Sequence, residues 1–88
     1  MTFDVEWDPA AEAELTRIWI ASDSELRTAI TKSARAIDRL LEKDPINQGE
    51  SRPNDRRIIF DLPLGIVYEV MPASRLVRVL FVWQVKHR

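Results

Sequence analysis

The chain has 88 residues, a formal net charge of −1 at pH 7 and no cysteine. That length makes one domain with a single core, the balanced charge weighs against avid nucleic-acid binding, and the lack of thiols excludes disulfides and thiolate metal sites. No apolar run approaches the ~20 residues of a membrane span and the N-terminus has no signal-peptide pattern, so the expected location is the cytoplasm, away from membranes.

In chain order, Phe3, Val5 and Trp7 alternate with Asp4 and Glu6, the pattern of a short strand with one buried face. Asp8-Pro9 predicts a helix start, with Asp as N-cap and Pro at the first helical position. Ala11, Leu15, Ile18 and Trp19 form its inner face, and it should end near Ala21. Ser22 with Glu25 has capping-box spacing and opens a second helix. Leu26, Ala29, Ile30, Ala34, Ile37, Leu40 and Leu41 give that helix an apolar stripe, and Asp44-Pro45 stops it. Residues 47–55 read as a polar loop.

From Arg56 to Gln84 the sequence predicts three strands. Pro63-Leu64-Gly65 fits a three-residue hairpin loop with Gly65 in the left-handed region, which sets Leu62 opposite Ile66, Phe60 opposite Tyr68 and Ile58 opposite Val70. A second loop, Pro72-Ala73-Ser74-Arg75, keeps Val77, Val79 and Phe81 on the same face and sets Glu69 opposite Arg78. The expected core joins Trp7, Leu15, Ile18, Ile30, Ile37, Phe60, Tyr68, Val79 and Phe81. Trp19 and Trp83 are also expected on buried faces rather than as base-stacking platforms. The expected fold class is α+β: β-α-α-β-β-β, a helical hairpin packed on one face of a mainly antiparallel four-stranded sheet, forming a single domain over residues 1–88.

The order and spacing of several short stretches resemble a known family. These are Val5-Glu6-Trp7-Asp8-Pro9-Ala10-Ala11 followed by Glu14-Leu15, then Gly65-Ile66-Val67-Tyr68-Glu69-Val70, and Arg78-Val79-Leu80. Together they are similar to the RelE/ParE superfamily, the toxins of type II toxin–antitoxin modules (plasmid-stabilisation-like proteins), over nearly the whole chain. The resemblance implies a growth inhibitor neutralised by a cognate antitoxin. It also implies two activities: ribosome-dependent cleavage of mRNA, as an mRNA interferase, or inhibition of DNA gyrase by binding. The RNase branch usually places an Arg three residues before the strand Tyr, where this chain has Gly65. It usually has a further Arg or His after the last strand and then a Tyr or His acid; the nearest positions here hold Trp83 and Gln84. A third alternative is a catalytically silent homologue that only binds an antitoxin, and the sequence leaves all three open. No cofactor or metal site is expected.

Cleavage by 2′-hydroxyl attack needs a proton acceptor, a cation for the phosphorane and an acid for the leaving oxygen. The candidates, expected mostly on the sheet face away from the helices, are Arg57, Glu69 (base), Arg78 (phosphate clamp) and His87 (acid). The competing reading is that Glu69 and Arg78 form a cross-strand ion pair on a solvated face, Arg56-Arg57 guard a strand edge, and His87 lies where chains fray. The same face is expected to expose Ile59, Val67, Leu80 and Val82, rimmed by Arg56, Arg57, Arg78 and Lys86. Such a patch fits a partner with apolar anchors flanked by acidic residues, or a second copy of the chain.

Overall fold

The structure, a computed structural model, describes residues 2–86. Its elements are β1 (Asp4–Trp7), α1 (Pro9–Ile20), α2 (Ser24–Lys43), β2 (Glu50–Arg52), β3 (Arg56–Asp61), β4 (Leu64–Met71) and β5 (Leu76–Gln84), with one 3-10 turn at Pro72–Ser74. The strands form one sheet in the order β1-β5-β4-β3-β2, in which only the β1–β5 pairing is parallel. The helical hairpin covers one face. The expected α+β layout holds, with five strands instead of four. Glu50–Arg52, expected to be loop, pairs with β3 as an exposed edge strand. Three polar residues carry no alternation that would mark a strand. The turn between them uses Asn54 and Asp55 at φ 65° and 59°, a left-handed conformation that these short polar side chains tolerate.

Both helices start on an aspartate. Asp8 accepts a hydrogen bond from the Ala10 backbone N–H at 2.9 Å, and Asp23 from Leu26 at 2.9 Å. The second cap is therefore Asp23, one residue after the expected Ser22, whose hydroxyl instead donates back to the Ile18 carbonyl at 2.7 Å. A carboxylate at this position also answers the positive end of the helix dipole. Arg27 then seals the end of α1: it donates to the Trp19 and Ile20 carbonyls at 2.9 Å each and lies 4.4 Å above the Trp19 ring. Trp19 is thus a partly exposed corner residue rather than a core residue.

Between helices and sheet lie Ala11, Ile18, Ile30, Ile37, Leu41, Ile59, Leu64, Ile66, Tyr68, Val77, Val79 and Val82, all buried, with Trp7 and Leu15 packed against them. The indole N–H of Trp7 donates to Asp38 of α2 at 2.8 Å, fixing β1 against the helix. Phe60 and Phe81, expected in this core, are 58% and 54% exposed. Two register differences cause this. The β3–β4 hairpin turns at Leu62-Pro63, pairing Asp61 with Leu64, so Ile59 meets Ile66 and Phe60 meets Gly65. The pairing differs from the expected one by three residues, an odd number, which moves every β3 side chain to the other face. In β5, Tyr68 pairs with Val79 but Val67 pairs with Phe81, leaving Leu80 unpaired in a β-bulge. Past the bulge the alternation inverts, so Val82 enters the core and Phe81 and Trp83 leave it. The Pro72–Arg75 loop and the Glu69–Arg78 pairing are as expected.

Candidate functional site

The sheet face away from the helices carries its side chains in rows across the strands. One row is charged: Glu6 of β1, Arg78 of β5, Glu69 of β4 and Arg56 of β3 are consecutive neighbours, continued by Arg52 of β2. The next row is Phe81, Val67 and Ile58, ending on Glu50 of β2. The third is Trp83, Gly65 and Phe60. The open face is therefore half ionic ladder and half apolar patch, with two phenylalanines more than half exposed. Water-facing sheet surfaces normally avoid an apolar cluster of this kind.

Each half has its own geometry. Arg78 lies 3.7 Å from the Glu6 carboxylate and 3.9 Å from that of Glu69, so two anions bracket its charge. The Arg56 guanidinium sits 5.9 Å from the Phe81 ring centre, and its buried Nε has no hydrogen-bond acceptor among the described residues. Phe60 and Trp83 meet edge to face at 5.9 Å. They meet over Gly65: a Cβ there would lie 2.7 Å from two Trp83 ring atoms and 3.0 Å from Phe60. Gly65 is thus required by close approach of the Trp83 ring and not, as expected, by a left-handed turn; its φ is negative and it lies inside β4.

The residues proposed for catalysis are divided. Glu69 and Arg78 are together on the open face. Arg57 points the other way, donating to the Gln48 carbonyl at 2.6 Å and the Gly49 carbonyl at 3.2 Å. His87 lies outside the described residues. Of the residues expected to form the apolar patch, Val67 is on the open face. Ile59 and Val82 are buried on the helix side, because of the hairpin register and the bulge, and Leu80 is the half-buried bulge residue. Lys86 follows β5 near Glu14 and Ser22 of the helical layer, and the rim is of mixed charge rather than basic.

No protein-family model matches the chain, and no curated protein matches it. Solved structures do. The toxin–antitoxin complex RelBE2 from Mycobacterium tuberculosis is similar at a TM-score of 0.75 and 13% identity, covering 96% of this chain and 92% of that one. A double arginine-to-alanine mutant of the Escherichia coli toxin RelE in the free state is similar at 0.68 and 21% identity, over 98% and 86% of the two chains. The chromosomal ParDE system from Pseudomonas aeruginosa is similar at 0.68 and 18% identity, over 96% and 97%. The chain has the RelE/ParE toxin fold. Within that fold the position where the resemblance implies a catalytic Arg is Gly65, and Trp83 closes the space any side chain there would enter.

On the helix side, Arg57 and Tyr68 hold the segment that follows α2. The buried Tyr68 hydroxyl lies 2.8 Å from the Pro45 carbonyl and 3.0 Å from that of Gln48, sharing one proton between them. Burial raises the phenol pKa above its usual value near 10, while the neighbouring Arg57 charge acts in the opposite direction. Above that value the unfolded chain loses the Tyr68 proton first, so the fold loses stability as pH rises through it. The stability advantage of the wild type over Tyr68→Phe, measured by urea unfolding, is therefore expected to shrink as pH increases past about 10.

Proposed function

We propose that the chain is the toxin component of a type II toxin–antitoxin module, held inactive by a cognate antitoxin that covers the open sheet face, and that it inhibits growth by binding a protein target rather than by cutting RNA. The fold supports the toxin reading. The observation that carries the binding reading is the state of Arg78: its charge is bracketed by Glu6 and Glu69, so the phosphorane of a cleavage reaction would have to compete with two resident carboxylates for it. Arg57 is committed to loop carbonyls on the opposite side of the sheet. The open face, by contrast, offers Phe60, Phe81, Trp83, Val67 and Ile58 as apolar anchors beside a mixed-charge rim, which suits an amphipathic segment of a partner protein.

Induced expression, scoring growth, bulk translation and DNA supercoiling together, tests this. Growth is expected to stop while mRNA stays intact on purified ribosomes, and a change in supercoiling would name gyrase as the target. Co-expression of a small protein encoded beside the gene is expected to restore growth. Cleavage of ribosome-bound mRNA that Arg78→Ala abolishes without unfolding the protein would overturn the binding reading in favour of an endoribonuclease.

A further inference from the structure

We infer that the open face also binds a second copy of the same chain, forming a face-to-face two-fold dimer. A two-fold interface brings one patch against itself, so the patch must be self-complementary. Four of the five charges of the ionic ladder have this property, and the fifth, Arg52 on the outer edge strand, is paired with Glu50 of its own chain. Across β1, β5, β4 and β3 the ladder reads Glu6, Arg78, Glu69, Arg56: minus, plus, minus, plus. A two-fold axis parallel to the strands, passing between β5 and β4, sets Glu6 of one copy opposite Arg56 of the other and Arg78 opposite Glu69. All four charges then meet their opposites. The same operation lays Phe81 on Val67 in the adjacent apolar row.

Two further observations agree. Arg56 has no carboxylate within 4 Å among the described residues, so it offers a cation to the Glu6 of a second copy. The size of the face fits a weak, reversible contact. The four strands that overlap hold 4, 9, 8 and 6 residues, which at about 3.3 Å per residue and about 4.8 Å between strands cover roughly 430 Å². A standard interface takes about 800 Å² of accessible surface from each partner, so this one lies at the small end. Sheet-on-sheet packing of two such faces is the geometry of a β-sandwich.

The inference does not depend on the toxin reading, and its test contains no other protein. Sedimentation equilibrium of the purified full chain is expected to show a reversible dimer at micromolar concentration. Glu6→Arg and Arg56→Glu, each setting like charges face to face, are expected to raise the dimer Kd at least tenfold. Mixing the two variants in equal amounts is expected to restore dimer, because the heterodimer again has opposite charges at both contacts. Circular dichroism reports whether each variant folds. If Arg56→Glu does not fold, Glu6→Arg alone decides, since Glu6 is an exposed residue on the edge strand. A wild type that stays monomeric at high micromolar concentration, a dimer indifferent to Glu6→Arg, or folded variants that fail to recover on mixing would each overturn the proposal.

Discussion

Ile59→Ala is expected to destabilise the protein by about 2–5 kcal/mol, whereas Phe81→Ala costs about 1 kcal/mol or less. Ile59 is 6% exposed and faces Ile66, so truncation opens a cavity between β3 and the helices. Phe81 is 54% exposed, and its loss leaves no enclosed space. Domains of this size have only about 5–10 kcal/mol to lose, so the first variant should melt at much lower denaturant and the second near the wild-type midpoint. Equilibrium urea unfolding of the two variants reads the register directly. Equal destabilisation would place Phe81 in the core and remove the bulge at Leu80.

The contrast shows where the sequence is legible and where it is not. The helices, their Asp-Pro start and stop, the Pro72–Arg75 loop and the Glu69–Arg78 pairing all follow from local chemistry that few alternatives satisfy. Ile58-Ile59-Phe60 is different: three consecutive apolar residues satisfy alternation in either phase, so periodicity cannot decide which face is buried. The polar residue beside them misleads too. Arg57 was expected to face water, yet it reaches loop carbonyls on the helix side, where its charge is met by backbone dipoles. Val79-Leu80-Phe81-Val82-Trp83 is equally ambiguous, and a bulge inside such a run leaves no compositional trace. One signal was available. A glycine within a strand points to close approach by a neighbour, and Gly65 is where Trp83 and Phe60 converge. Read that way, it places both aromatics on the open face.

If an antitoxin covers the open face as proposed, Phe81→Asp is expected to weaken its binding by at least about 100-fold while leaving the monomer folded. Phe81 sits at the junction of the two halves of the open face, next to Val67 and beneath the Arg56 guanidinium. An aromatic residue at the centre of an interface characteristically contributes 2 kcal/mol or more on truncation, or roughly 30-fold, and burying an unpaired carboxylate against apolar anchors adds to that loss. The fold should tolerate the change, because the side chain is more than half exposed and the cost of Asp in a strand is about 1 kcal/mol. Calorimetric titration of the folded variant with purified antitoxin checks the affinity, and urea unfolding checks the fold. Leu80→Asp is the informative companion. As a half-buried bulge residue Leu80 has no strand partner on β4, so its substitution should affect binding less than that of Phe81. If Phe81→Asp binds antitoxin as tightly as the wild type, the antitoxin does not use this face.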